Sequence, residues 1–160
     1  MTTKYFETLN SSFLAHFARR LADLIIEQGS ELLRDLELTT PTTSISTLLF
    51  IANNANVTVA TIAEELGVSH QMATQRINLL EKLLLIERQP LPNDKRAKQV
   101  TLTELGKAEV KILFPFTQQM KEIFEQLEAE VGCELTKVIR RTELSLLNKS
   151  IKERLKASIN

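Results

Sequence analysis

Gly67 is the residue that most narrows what this chain can fold into. It separates two short stretches of apolar residues at helical spacing. Thr58 offers an N-cap for a helix of about 59–66, with Ile62, Ala63 and Leu66 on its apolar face. Ser69 offers one for a second helix of about 70–84, with Ala73, Ile77, Leu80 and Leu84 spaced for burial. A glycine just past the last turn admits the left-handed backbone that ends a helix. Ala63 is small where the helices would cross, and Val68 fills the turn. This is the layout of a helix-turn-helix.

The period then changes. Leu85-Ile86-Glu87-Arg88-Gln89 alternates like a strand, and Lys98-Gln99-Val100-Thr101-Leu102 reads as a second. Pro90, Pro92, Asn93 and Asp94 join them in a hairpin with a charged tip. Thr103 caps a long helix to about 130, which Pro115 is expected to kink and Gly132 to end. A last amphipathic helix covers about 134–157. Toward the N-terminus, Leu14, Phe17, Leu21, Leu24, Ile25, Leu32 and Leu36 predict a helix over about 10–36, with Asn10, Ser11 and Ser12 as candidate caps. Gly29 within it is either a kink or a close helix contact. Ile45, Leu48, Leu49 and Ala52 mark one face of a helix over about 43–53. The expected fold is mainly α with a small β-hairpin: a winged helix-turn-helix core (41–106) between an N-terminal helix (1–40) and C-terminal helices (107–160). The terminal helices are longer than a small domain needs, so their apolar stripes point to a second copy of the chain as partner.

Composition excludes several classes of function. One cysteine among 160 residues allows no internal disulfide, which suits a reducing compartment. No apolar run approaches the roughly 18 residues of a membrane span, and the first residues do not read as a secretory signal, so a cytoplasmic protein is expected. His16, His70 and Cys133 show no metal-ligand spacing. There is no phosphate loop and no catalytic constellation, so neither a cofactor nor enzymatic activity is expected. The net charge is zero, but residues 68–107 carry seven basic side chains (Arg76, Lys82, Arg88, Lys95, Arg96, Lys98, Lys107) against four acidic ones. That modest excess of +3 sits where the helix-turn-helix and hairpin lie.

The second helix has an unusual outer face. Gln71, Thr74, Gln75 and Asn78 fall at i, i+3, i+4 and i+7 and share one stripe. Their neutral groups both donate and accept hydrogen bonds, which suits base edges in a major groove. Arg76 and Lys82 flank the stripe at phosphate-contact positions. Ser69, His70 and the first-turn N–H groups form a seat for a phosphate. An ordinary solvated helix face is the alternative for the stripe, and plain capping for Ser69.

From Pro90 to Gly106 the chain reads PLPNDKRAKQVTLTELG. With Asp94, Arg96, Lys98 and the Leu102-Thr103…Gly106 run, following the helix-turn-helix in order, it resembles the MarR (multiple antibiotic resistance regulator) family. The resemblance implies a homodimeric transcription regulator, acting as a repressor on a pseudo-palindromic operator in duplex DNA. It implies a wing, here Asp94, Lys95, Arg96 and Lys98, with Arg96 in the minor groove and Asp94 holding it. It further implies release by a small aromatic or phenolic effector, for which Phe13, Phe17, Arg20, Ile45, Leu48 and Phe50 are the candidate lining. The sequence departs from the family pattern at Gln75, where a basic residue is common, at Leu84, where glycine is common, and at Ala97. A winged-helix module that binds protein and not DNA is the alternative left open by the neutral charge.

Overall fold

The computed structural model describes residues 4–91 and 94–159, except the side chains of residues 91 and 94–97. The chain forms two compact units, Met1–Phe114 and Pro115–Asn160. The first holds helices α1 (Lys4–Thr8), α2 (Leu14–Asp35), α3 (Ile45–Asn53), α4 (Val59–Glu65) and α5 (His70–Lys82), strands β1 (Ile86–Leu91) and β2 (Asp94–Leu102), and the start of helix α6 (Glu104–Val131). The second holds the rest of α6 with α7 (Leu135–Asn148) and α8 (Ile151–Ile159). The mainly helical winged helix-turn-helix expected from the sequence is the fold observed. Among the described residues, no helix is long and apolar enough to cross a membrane.

Of the candidate caps, Asn10 caps the 3-10 turn that precedes the first long helix: its Oδ1 accepts from the Ser12 N–H. That turn, Ser11–Phe13, leads into α2. Helix α1 precedes it and has no counterpart in the sequence reading. It docks on α2 through Phe6, whose ring lies 5.2 Å from that of Phe17, edge to face. Gly29 is a close contact: a Cβ there would stand 3.1 Å from Thr42 Cγ2. On α3 the expected face is corrected. Thr47, Leu48 and Ile51 are buried, while Ile45, Leu49 and Ala52 are half-buried. Thr47 on the inward face disguised the pattern.

The helix-turn-helix is built from local hydrogen bonds. Thr58 and Thr61 form a reciprocal capping box at the start of α4. At its end the Gly67 N–H donates to Glu64 O and the Val68 N–H to Ala63 O, with Gly67 at φ +61. Helix α5 ends in the same Schellman geometry: the Leu84 N–H donates to Glu81 O and the Leu85 N–H to Leu80 O, both at 3.0 Å. Leu84 is therefore not the buried helical residue expected. It is 69% exposed, at φ +59, in the conformation glycine adopts most easily. Helix α5 stops two residues early because its terminal carbonyls close on this turn.

The hairpin is antiparallel, with Ile86 opposite Leu102 and Gln89 opposite Gln99, and an irregularity at Pro90/Leu91. The Val100 N–H donates to Val57 O at 2.7 Å, tying β2 to the start of the helix-turn-helix. Thr103 joins three elements. Its N–H donates to Leu85 O, its hydroxyl donates to Leu84 O, and its Oγ1 accepts from the Gly106 N–H as the cap of α6. Gly106 must lack a side chain, since a Cβ would fall 2.0 Å from the Leu85 carbonyl oxygen. Leu33, Leu48, Ile62, Ile77, Leu80, Leu85, Ile86 and Leu113 belong to the buried core of this unit.

One buried carboxylate closes the unit. Glu109 of α6 is 4% exposed. It accepts hydrogen bonds from the backbone N–H and hydroxyl of both Thr39 and Thr40, in the segment after α2. Burial alone pushes its carboxyl up, but the Thr39 and Thr40 donors outweigh that and hold it below its ordinary value.

In the second unit the single last helix expected over 134–157 is two helices, broken at Lys149–Ser150. Ser150 caps α8: the Glu153 N–H donates to Ser150 Oγ, and the Ser150 N–H donates to the Glu153 carboxylate. The S-x-x-E spacing that marks this break stands in the sequence. Neither α7 nor α8 has a buried residue.

Two stability measurements check this account. Leu84→Gly removes a left-handed leucine with little packing to lose, and is expected to stabilise the chain by about 1 kcal/mol in urea unfolding; a loss of stability would show that the Leu84 side chain has a packing role. Glu109→Gln leaves an amide donor facing four donors and is expected to cost about 2 kcal/mol at neutral pH. Because folding lowers the Glu109 pKa from 4.5, its contribution is present above that value and fades as pH falls through the folded-state pKa. The gap between variant and parent should shrink on acidification, and a gap constant from pH 7 to pH 3 would rule out the charged clamp.

Candidate nucleic-acid interface

Helix α5 is anchored by Ala73, Ile77 and Leu80, all with no exposed surface, so the opposite side faces outward. Ser69 caps it, its Oγ accepting from the Met72 N–H at 3.1 Å. His70 and Gln71 are exposed in the first turn. The structure brings the four stripe residues together, with Gln71, Gln75 and Asn78 exposed and Thr74 half-buried.

Their hydrogen-bonding capacity is unequal. The Thr74 hydroxyl donates to His70 O at 2.8 Å, leaving its methyl and a lone pair. Asn78 Oδ1 accepts from Arg88 Nη2 at 2.6 Å. No hydrogen bond is found for the Gln71 and Gln75 side chains among the described residues. Arg76 is half-buried and Lys82 exposed at the end of α5.

On the hairpin, Lys98 is exposed and pairs in register with Pro90. Asp94, Lys95 and Arg96 lie in β2, but their side chains fall outside the described residues. The sequence reading missed the role of Arg88 on β1. Its Nη1 lies 3.2 Å from Glu81 Oε2 while its Nη2 holds Asn78, so it bridges strand and helix. Periodicity within one element cannot reveal a contact between positions ten residues apart on two elements.

The effector candidates are scattered. Phe13 borders a surface recess with Tyr5, Phe6, Leu9 and His16. Arg20 borders another along α2 and stands 4.5 Å from the centroid of the Phe6 ring. Phe17 packs against Phe6 and His16. Ile45 and Phe50 are half-buried on α3, and Leu48 is fully buried in the core with no surface to offer a ligand.

This architecture defines a winged helix-turn-helix protein, with a capped outward-facing second helix and a two-stranded wing. The model of the MarR family matches residues 36–97, which hold the helix-turn-helix, the first wing strand and the start of the second. Solved structures agree in fold. The DNA complex of MepR from S. aureus gives a TM-score of 0.67 at 20% identity, over 84% of this chain and 97% of that one. The transcriptional regulator MosR of M. tuberculosis, in complex with DNA, gives 0.62 at 23% identity, over 82% and 91%. A MarR/EmrR family transcriptional regulator from Acinetobacter sp. ADP1 gives 0.67 at 18%, over 88% and 99%.

The Ser69 cap has a direct check. Ser69→Ala is expected to cost about 1 kcal/mol of stability, read by thermal or urea unfolding. An unchanged unfolding free energy would mean that the hydroxyl does not hold the first turn.

Proposed function

We propose that this chain is a homodimeric transcription regulator that binds duplex DNA and represses by occupying a pseudo-palindromic operator. The observation that carries the proposal is the outer stripe of α5. Gln71 and Gln75 stand there exposed and without hydrogen-bond partners among the described residues, beside Thr74 and Asn78. Amides on a rigid, capped helix match the donor and acceptor pattern of a major groove. MepR and MosR, similar in fold, are found in complex with DNA, which supports duplex DNA as the ligand here.

In this reading residues 41–106 contact DNA. Ser69, His70, Arg76 and Lys82 serve phosphates, and Asp94, Lys95, Arg96 and Lys98 form the wing, with Arg96 in the minor groove. Residues 1–40 and 107–160 serve dimerisation. Exposed apolar side chains support that assignment: Leu21, Leu24 and Leu32 on α2, Val138, Ile139 and Leu144 on α7, and Ile151 and Leu155 on α8. Faces of this kind are normally covered by a partner. A two-fold dimer presents two copies of the stripe, which a pseudo-palindromic site would match.

The test is binding of fluorescent duplex from the region upstream of the protein's own gene, across a salt series, beside Arg96→Ala. Binding should be tight at low salt and weaken steeply as salt rises. Arg96→Ala should lower affinity roughly tenfold, the scale of one charge-assisted contact. No binding to this duplex or to random duplex at low salt would overturn the proposal in favour of a protein-binding winged helix.

A further inference from the structure

We infer that Arg88, on the first wing strand, is a specificity-positioning residue that fixes which way the Asn78 amide faces on the recognition helix. The inference rests on the DNA-reading function proposed above.

An asparagine amide has two chemically opposite ends. Oδ1 accepts hydrogen bonds and Nδ2 donates them, and the group turns freely unless something holds it. Here something does. Arg88 Nη2 donates to Asn78 Oδ1 at 2.6 Å, and Nη1 of the same guanidinium lies 3.2 Å from Glu81 Oε2. Asn78 and Glu81 are one helical turn apart on α5, so the planar fork spans one edge of the helix. The Arg88 side chain is only 26% exposed, which favours a fixed geometry over a swinging surface cation.

With Oδ1 turned to Arg88, the amide presents Nδ2 on its other branch. Asn78 then offers a donor. A donor favours acceptor edges in the major groove, namely guanine O6 and N7, adenine N7 and thymine O4, and disfavours the cytosine amino group. Gln71 and Gln75 have no such restraint among the described residues and can turn to suit either kind of edge. Asn78 is thus a stripe amide whose polarity is set before DNA arrives, and the residue that sets it lies on the wing.

Arg88→Lys is the discriminating variant. It keeps the charge but has one nitrogen in place of a fork, and Glu81 will draw that nitrogen away from Asn78. The parent, Arg88→Lys and Asn78→Ala, each shown folded by its melting curve, are used to select from duplexes with a random central segment. The parent should enrich a site with cytosine excluded at one position per half-site. Asn78→Ala should lose that exclusion. Arg88→Lys should relax it roughly fivefold, the scale of one hydrogen bond. Its preference elsewhere in the site, and its salt-dependent affinity for random duplex, should stay unchanged.

The failures are distinct. If the parent enriches no sequence, the DNA-reading function falls and this inference with it. If the parent enriches a site but Arg88→Lys leaves the Asn78 position intact, or weakens all sites equally, Arg88 only supports the fold or the net charge. The inference is then wrong while the DNA-reading stands.

Discussion

Two consecutive backbone carbonyls hold the winged helix together. Leu84 O and Leu85 O sit where α5 has just ended and the first strand is about to begin. Thr103, arriving from the second strand, donates to both. Helix α6 then starts so close to Leu85 that only glycine fits at position 106. The end of α5, the base of the hairpin and the start of α6 are therefore one joint. The spacing of Thr103 and Gly106 follows from it: the hydroxyl and the absent side chain meet the same turn from one helical turn. Sliding the wing along α5 would break these hydrogen bonds together, and each buried unpaired group would cost about 1–3 kcal/mol.

Glu109 extends the same logic by one more turn of α6. Its carboxylate gathers the four donors of exposed Thr39 and buried Thr40, which follow the end of α2; without it the Thr40 donors would be buried without partners. A charged group is needed because four donors converge on two oxygens, and a neutral side chain could not accept from all of them. The helix that is positioned by Leu85 thus positions the exit of α2 in turn. The end of α5 and the exit of α2 are both tied to the first turns of α6 by hydrogen bonds.

This explains which features were legible in the sequence. Caps and turns announce themselves because the residue that does the work sits in the element it ends: Thr58, Gly67, Ser69 and Thr103 were all read correctly. The outward stripe of α5 was legible for the same reason. The misreadings came where a residue acts against its type. Leu84 occupies a glycine conformation, so an apolar residue at helical spacing was assigned to the core although it is exposed. Thr47 is buried on α3, so a face drawn through apolar residues alone, Ile45, Leu48, Leu49 and Ala52, missed the inward one. The break before α8 was written in Ser150 and Glu153, but a continuous apolar pattern outweighed it. Glu109 and Arg88 were beyond reach, since each acts on partners far away in sequence or on another element.

On the DNA-reading proposed above, the modest charge of the winged helix has a physical consequence. An excess of +3 over residues 68–107 can neutralise only a few phosphates. Counterion release at one winged helix is then limited, and the steep salt dependence expected of the protein is the sum over two. Two winged helices joined in one dimer would place the second at high effective concentration once the first is bound, without any further charge. The exposed apolar faces of α7 and α8 and the uncharged amides of α5 are in that sense complementary. A weakly basic reader has most to gain from being paired, and a stripe of amides on α5 leaves discrimination to the hydrogen-bonding edges of the bases.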